Sequence, residues 1–191
     1  MDTVYRLMRL NRLIKSYRLK FLAVYICDLL NIRHLFIRLD PVNACNLKCS
    51  MCYWSEESYG KKVRGRFNKD EIKRISEQFF PRCLQLVIGC ASEPTLYKNY
   101  IELVESAKET YKIPFVGFTT NGQLLSEEAI EKFVTSGLDE LTISVHGVTK
   151  DTYESFMVNA SYEKLLTVLT SLKKIRIQHG AANPKLRINY T

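Results

Sequence analysis

An α/β fold built on a parallel sheet is predicted by three features of the sequence. Short β-like apolar runs alternate with stretches of helical period, helix candidates carry cap or stop signals, and turn residues close the strand candidates. A chain of 191 residues is long enough for one domain with a sizeable core. Hydrophobic residues make up 46% and charged residues 25%, a balance that argues for a folded chain over a disordered one.

From Met1 to about Leu30, Leu7, Leu10, Ile14, Tyr17, Phe21, Val24 and Tyr25 recur near helical spacing and predict one or two amphipathic helices. Leu35 to Asp40 reads as a strand that stops at Pro41. A cysteine-bearing loop follows, then a polar, Gly-containing connection from Trp54 to Phe67. Asn68 with Glu71 three residues later predicts a capped helix, with Ile72, Ile75 and Phe79 as its buried stripe. Cys83 to Ile88 is a strand ending at Gly89, and Tyr100, Ile101, Val104 and Ala107 mark the next helix. Phe115 to Phe118 is a strand that runs into Thr119-Thr120-Asn121-Gly122. Ser126 caps a helix carrying Ile130, Phe133 and Val134, and Gly137 stands where a C-cap belongs. Leu141 to Val145 is a fourth strand. A helix with Leu165, Leu166, Leu169, Leu172 and Ile175 follows, and Leu186 to Tyr190 is a fifth strand. A parallel sheet of this kind, open and doubly wound or curled into a barrel, binds ligands at the carboxyl ends of its strands. The cysteine loop and the segments at Gly89, Asn121 and His146 each follow a strand, so one face is predicted to hold all four.

Net charge is +8, and residues Met1 to His34 hold seven Lys or Arg against Asp2 and Asp28. A solvated face is favoured over an acidic partner there. The cations Arg6, Arg9, Arg12, Lys15 and Arg18 drift around the helix instead of holding one face. Packing against the body of the domain is therefore favoured over contact with an anionic membrane surface. The longest apolar run, Phe21 to Cys27, is far short of the roughly 20 residues of a membrane helix. A cytoplasmic location is expected, and the six cysteines then read as thiols. No nucleic-acid-binding pattern accompanies the basic charge, so no nucleic-acid partner is expected.

Three of the thiols crowd together as Cys45-x-x-x-Cys49-x-x-Cys52. Iron–sulfur clusters take soft thiolate ligands, and three thiolates on four irons leave one iron open, as a catalytic centre requires. A zinc ion with a distant fourth ligand is equally compatible with the spacing alone.

The segment Asn43-Ala44-Cys45-Asn46-Leu47-Lys48-Cys49-Ser50-Met51-Cys52-Tyr53 closely resembles the cluster loop of the radical S-adenosylmethionine (radical SAM) superfamily. Glu93-Pro94-Thr95-Leu96 resembles the tail of that family's Gly-Gly-Glu-Pro motif, and Thr119-Thr120-Asn121-Gly122 resembles its third-strand motif. Ile143-Ser144-Val145-His146-Gly147 is similar to the Ile-Ser-x-Asp-Gly strand end of its peptide-modifying, sulfatase-maturing members. The resemblance runs from about Leu35 to Thr191.

It implies a partial parallel (β/α) barrel at 35–191, with about five strands, preceded by a basic helical segment at 1–34. The family's core has six strand–helix units, so the chain is expected to be incomplete at its C-terminus. Cys45, Cys49 and Cys52 are implied as ligands of a 4Fe–4S cluster that binds S-adenosylmethionine. Tyr53 would lie near the adenine, and the backbone of Ser92 and Glu93 would receive the amino group. Ser144, and less strongly Asn121, would contact the ribose or carboxylate. The implied reaction is reductive cleavage of S-adenosylmethionine to a 5′-deoxyadenosyl radical that modifies a peptide or other organic substrate. The electron would come from a reductant such as flavodoxin or ferredoxin. A cluster-binding fragment without turnover is the alternative.

The paired glycines of the Glu-Pro motif are replaced by Ala91 and Ser92. Cys90 reads as a small buried thiol near a strand end. Trp54 reads as a packing residue, His146 as a hydrogen-bonded histidine where the family has Asp, and Arg64 and Arg66 as part of a solvated loop.

Overall fold

The computed structural model describes residues 9, 12–56, 62–63 and 65–190. The expectations placed on Arg6, Leu7, Leu10, Arg64 and Thr191 lie outside them. Strands run in chain order as β1 (Leu35–Leu39), β2 (Val42–Asn43), β3 (Gly65–Arg66), β4 (Cys83–Ile88), β5 (Phe115–Thr120), β6 (Glu140–Ser144) and β7 (Lys185–Asn189). Five of them form one sheet in the order β1-β4-β5-β6-β7, and every pairing is parallel. The carboxyl ends therefore share one edge, as the alternation of periods predicted. β2 and β3 pair antiparallel, Val42 opposite Arg66 and Asn43 opposite Gly65. They join the chain just before the cysteine loop to the end of the polar connection, segments that the sequence marked only as loop.

Helix α1 spans Tyr17–Leu29, α2 Lys69–Phe79 and α3 Tyr100–Glu105, which runs on as a π-helical turn to Thr110. Beyond them lie α4 (Glu127–Thr135), α5 (Lys150–Phe156) and α6 (Tyr162–Gln178). The caps are those read from the sequence. Asn68 Oδ1 accepts from the Glu71 N–H at 2.9 Å while Glu71 Oε2 accepts from the Asn68 N–H at 2.8 Å, closing a capping box. Ser126 Oγ accepts from the Ala129 N–H at 3.1 Å, and Gly137 ends α4 at φ +77°. The core lies between the sheet and these helices. Leu86, Ile88, Val116, Phe118, Leu141 and Ile143 of the central strands are fully buried. Phe118 packs on Phe133 with ring centroids 4.8 Å apart and on Tyr100 at 5.8 Å.

Four expectations are corrected. Phe79 is 47% exposed, and its neighbour Phe80 takes the buried place. Phe80 continues the helical face of α2 that carries the buried Ile72 and Ser76, and the 3-10 turn with Pro81 follows it. Leu166 is exposed, because the buried stripe of α6 runs through Leu165, Val168, Leu172 and Ile175. α5 was not foreseen; it carries a single buried residue, Tyr153, and so shows no apolar period. Finally, α1 buries no apolar face against the domain and touches it through the Asp28–Arg82 ion pair at 2.6 Å. None of its residues is buried, and Tyr17 and Phe21 are 76% and 75% exposed. The chain after it is held instead by Arg33, whose guanidinium donates to the carbonyls of Phe80, Cys83 and Tyr111 at 3.0, 3.0 and 2.6 Å. Among the described residues no helix is long and apolar enough to cross a membrane.

Two substitutions test this packing. Phe118→Ala removes a fully buried ring from the centre of the aromatic cluster and is expected to cost about 3–5 kcal/mol, read as a lower urea midpoint at unchanged slope. Gly89 sits at φ +79°, and a Cβ there would meet the Thr119 carbonyl and Pro94 Cγ, the latter at 2.6 Å. Gly89→Ala is therefore expected to destabilise the fold by at least ~1–3 kcal/mol; an unchanged midpoint would contradict the tight turn after β4.

Candidate metal centre

The cysteine loop leaves the edge of the sheet just beyond β1 and is fixed from three directions. Leu47 is buried between the first two cysteines. The Lys48 and Ser50 N–H groups donate to the carbonyls of Val158 and Phe156 at 3.0 and 2.9 Å, so the residues ending and following α5 brace the loop. The Glu93 N–H donates to the Ala44 carbonyl at 2.9 Å, which ties the loop to the turn after β4. Within the loop, the Cys52 N–H reaches the Cys49 carbonyl at 3.0 Å.

Cys45, Cys49 and Cys52 are free, half-buried thiols. Burial pushes the Cys45 thiol above its ordinary value, helped by the nearby Glu93 and Cys52 charges and opposed by the Leu47 N–H and Asn121. Burial likewise pushes Cys49 up to about 11, with the charges of Cys45 and Cys52 adding to the effect. Cys52 is thus close enough to oppose the ionisation of Cys45 and Cys49, and Cys45 that of Cys49. A bound cationic centre reverses that logic, because a metal-ligating thiol is deprotonated outright. Soft donors so placed fit an iron–sulfur cluster. Among the described residues no three Cys, His, Asp or Glu side chains surround a single ion-sized position. Separate irons take separate thiolates, so three cluster ligands need not meet at one point.

Glu93 is 2% exposed and joins two strand ends. Its Oε1 accepts from the Thr95 N–H at 3.2 Å, Thr95 Oγ1 at 2.6 Å and Thr120 Oγ1 at 2.7 Å, and its Oε2 accepts from the Asn121 N–H at 2.8 Å. Burial pushes its carboxyl up and these donors pull it back. The side chain is therefore committed to the scaffold. Asn121, 6% exposed, extends the link to the cysteines. Its Nδ2 donates to Asn46 Oδ1 at 2.9 Å and lies 3.9 Å from Cys45 Sγ, while its Oδ1 accepts from the Gln123 N–H at 2.9 Å.

Tyr53 and Trp54 form the 3-10 turn after Cys52, and both donate to the Ala91 carbonyl, Tyr53 through its hydroxyl at 2.7 Å. Ser92 lies in the same turn as Ala91, with its hydroxyl on Asp40 Oδ1 at 2.9 Å. Ser144 lies at the carboxyl end of β6 opposite Asn189. Its side chain makes no hydrogen bond to the other site residues. His146 is half-buried, which pulls its pKa down. Arg66 is exposed in β3, as expected for a solvated connection. Cys90 is exposed, contrary to its reading as a buried thiol; the turn after Gly89 carries it away from the core.

The structure thus brings Cys45, Glu93 and Asn121 into one network and places Tyr53 beside the turn holding Ser92. Residues the sequence reading missed are Asp40, Thr120, Gln123 and Tyr153. Gln123 Nε2 donates to the Tyr153 hydroxyl at 3.2 Å. Burial first, and the nearby Cys49 among other charges, push that hydroxyl up to about 12. Thr120 stood in a motif already singled out; Asp40 carried no signal beyond being a polar residue at a strand end, and Tyr153 is the one buried residue of a helix without an apolar period.

A family model described as the Radical SAM superfamily matches residues 39–183. The chain is 27% identical over 135 residues to a probable GTP 3′,8-cyclase of Saccharolobus solfataricus, covering 71% of this chain and 42% of that protein. It is 25% identical over 133 residues to molybdenum cofactor biosynthesis protein 1 of Drosophila melanogaster, covering 70% of this chain and 23% of that one. Among solved structures, Streptococcus suis SuiB bound to S-adenosylmethionine superposes with a TM-score of 0.61 at 22% identity, covering 87% of this chain and 35% of that chain. The protein anSMEcpe with bound AdoMet and the Cp18Cys peptide gives 0.60 at 15% identity, covering 81% and 41%. At such identities the structural likeness shows the fold, which is that of the radical SAM partial barrel. The chain spans less than half the length of each of these relatives. The family match takes in all three clustered cysteines and the strand ends of β1, β4, β5 and β6, and the chain belongs to the Radical SAM superfamily.

Proposed function

We propose that this chain holds the cofactor-binding part of a radical SAM enzyme, with a 4Fe–4S cluster on Cys45, Cys49 and Cys52 and S-adenosylmethionine across the neighbouring strand ends. The observation that carries this reading is the wiring of the thiol loop. Three half-buried free thiols sit on one loop, and Glu93 and Asn121 lock that loop to the carboxyl ends of β4 and β5. When bound, such a cluster supplies an open iron and a single electron, the means to break a carbon–sulfur bond of a sulfonium and give a 5′-deoxyadenosyl radical.

The chain's own residues bind, orient and shield. The backbone of Ser92 and Glu93 receives the amino group of S-adenosylmethionine, since the Glu93 carboxylate is already spent on Thr95, Thr120 and Asn121. Tyr53 stands beside the adenine, and Ser144 at the end of β6 contacts the ribose or carboxylate. Asn121 steadies Cys45 in addition to any contact with the cofactor. An external reductant of the flavodoxin or ferredoxin kind supplies the electron.

The substrate we propose is a peptide or another organic molecule. The strand end Ile143-Ser144-Val145-His146-Gly147 and the fold shared with anSMEcpe, solved with a bound peptide, support the peptide class. The relatives named GTP 3′,8-cyclase support a purine nucleotide as the second candidate.

Anaerobic reconstitution with iron and sulfide is expected to load about four irons per chain and to give a brown protein. Cys49→Ala is expected to lose most of that iron. A colourless wild type that takes up zinc in its place would refute the cluster. With dithionite, the loaded wild type is expected to release 5′-deoxyadenosine from S-adenosylmethionine; loading without release would assign this chain to cluster binding alone. Stimulation of that release by GTP and by no peptide would move the substrate to the nucleotide class. Glu93→Gln replaces one acceptor oxygen by an amide donor, which then faces at least the Asn121 N–H, and is expected to cost about 1–3 kcal/mol in stability, measured by denaturation of the metal-free chain.

A further inference from the structure

We infer that Asp40 is a positioning residue for the amino-acid end of the cofactor: it fixes the backbone at 90–92, the turn from which the Ser92 and Glu93 backbone meets the amino group. This rests on the proposed binding of S-adenosylmethionine and assigns the device that shapes that part of the site.

Asp40 follows the last residue of β1. Its Oδ1 accepts from the N–H groups of Cys90, Ala91 and Ser92 at 2.9, 3.1 and 3.2 Å, and from Ser92 Oγ at 2.9 Å. Successive backbone N–H groups converging on one point form a nest, a concavity suited to an anion. Here the chain's own carboxylate fills it with charge-assisted hydrogen bonds. With those donors turned to Asp40, the Ala91 carbonyl is directed elsewhere, and its partners show where. The Tyr53 hydroxyl and Trp54 Nε1 both donate to it, and both belong to the turn that begins directly after Cys52. The turn is therefore fixed from both sides: its N–H groups close on Asp40, and the Ala91 carbonyl is filled by the two aromatic donors that follow the thiol loop.

The same arrangement accounts for Ala91 and Ser92 where the resembling motif has two glycines. The non-glycine residues with positive φ among the described ones are Asn31, Lys112 and Asn159, so neither Ala91 nor Ser92 needs a conformation that favours glycine. The bend is made earlier, by Gly89 at φ +79°. After it, a carboxylate imposes the order, and Ser92 adds a hydroxyl to the grip.

The test uses the cluster-loaded full chain and compares two ligands by calorimetry: S-adenosylmethionine, and methylthioadenosine, which keeps the nucleoside and lacks the amino acid. Asp40→Ala is expected to weaken S-adenosylmethionine about tenfold, a change of one decade in Kd, while methylthioadenosine changes by less than about twofold. Asp40→Asn keeps an acceptor oxygen without the charge and is expected to fall between wild type and Asp40→Ala. Ser92→Ala, the mildest change, is expected to lose about two- to threefold for S-adenosylmethionine alone. Hydrogen exchange at the amides of residues 90–92 should rise in both Asp40 variants, with iron content unchanged. Equal weakening of both ligands would reduce Asp40 to a general brace and overturn the inference, as would unchanged affinities in variants that retain the cluster. If the Asp40 variants fail to load, the ligand selectivity of Ser92→Ala decides in the same way. A wild type that loads the cluster but binds neither ligand overturns the proposed function and this inference together, whereas normal binding by wild type and variants alike overturns this inference alone.

Discussion

Around Glu93 three parts of the chain meet that are distant in sequence: the thiol loop, the turn after β4 and the end of β5. Its N–H holds Ala44, and its carboxylate takes four donors from Thr95, Thr120 and Asn121. A buried carboxylate without partners would be strongly unfavourable, and one fully supplied with donors is locked into a single arrangement. That requirement transmits order from the sheet to the cysteines. Asn121, placed by its own N–H on Glu93, presents its amide to Asn46 and Cys45.

Asp40 plays a parallel part at the neighbouring strand end. The two carboxylates share one turn: Asp40 gathers the N–H groups of residues 90–92, and Glu93 follows directly. Both gather several donors, Asp40 through Oδ1 and Glu93 through both of its oxygens. Their role is to hold backbone groups in fixed directions, which is how a protein prepares a site for a cofactor that carries its own chemistry. The thiols are tuned the opposite way. Burial and mutual repulsion hold Cys45 and Cys49 toward the protonated form, a state that a cationic centre displaces.

Much of the fold was legible because local rules and packing agree. The strand at Cys83–Ile88 and the caps at Asn68 and Ser126 appear where apolar period and side-chain chemistry place them. The departures mark where a local rule meets a tertiary one. Helical period admits either Phe79 or Phe80 on the buried side, and packing of α2 on the sheet selects the face of Ile72, Ser76 and Phe80. α5 lacks an apolar stripe because its contribution is one tyrosine and a pair of carbonyl acceptors behind the thiol loop. Helical spacing in α1 suggested a buried face, but spacing alone does not supply a surface to bury it against, and none of its residues is buried.

The sequence by itself determined the type of fold, the thiol-bearing loop and the order of the strand ends around it. Those features depend on periodicity, on turn residues and on thiols close together along the chain, all of which act over a few residues. Only the tertiary structure decided how the strand ends are joined. Asp40 lies 50 residues from Cys90, and Asn121 lies 76 from Cys45. Hydrogen bonds across such separations leave no local pattern; they exist because parallel strands, paired side by side, bring their carboxyl ends within reach of one another.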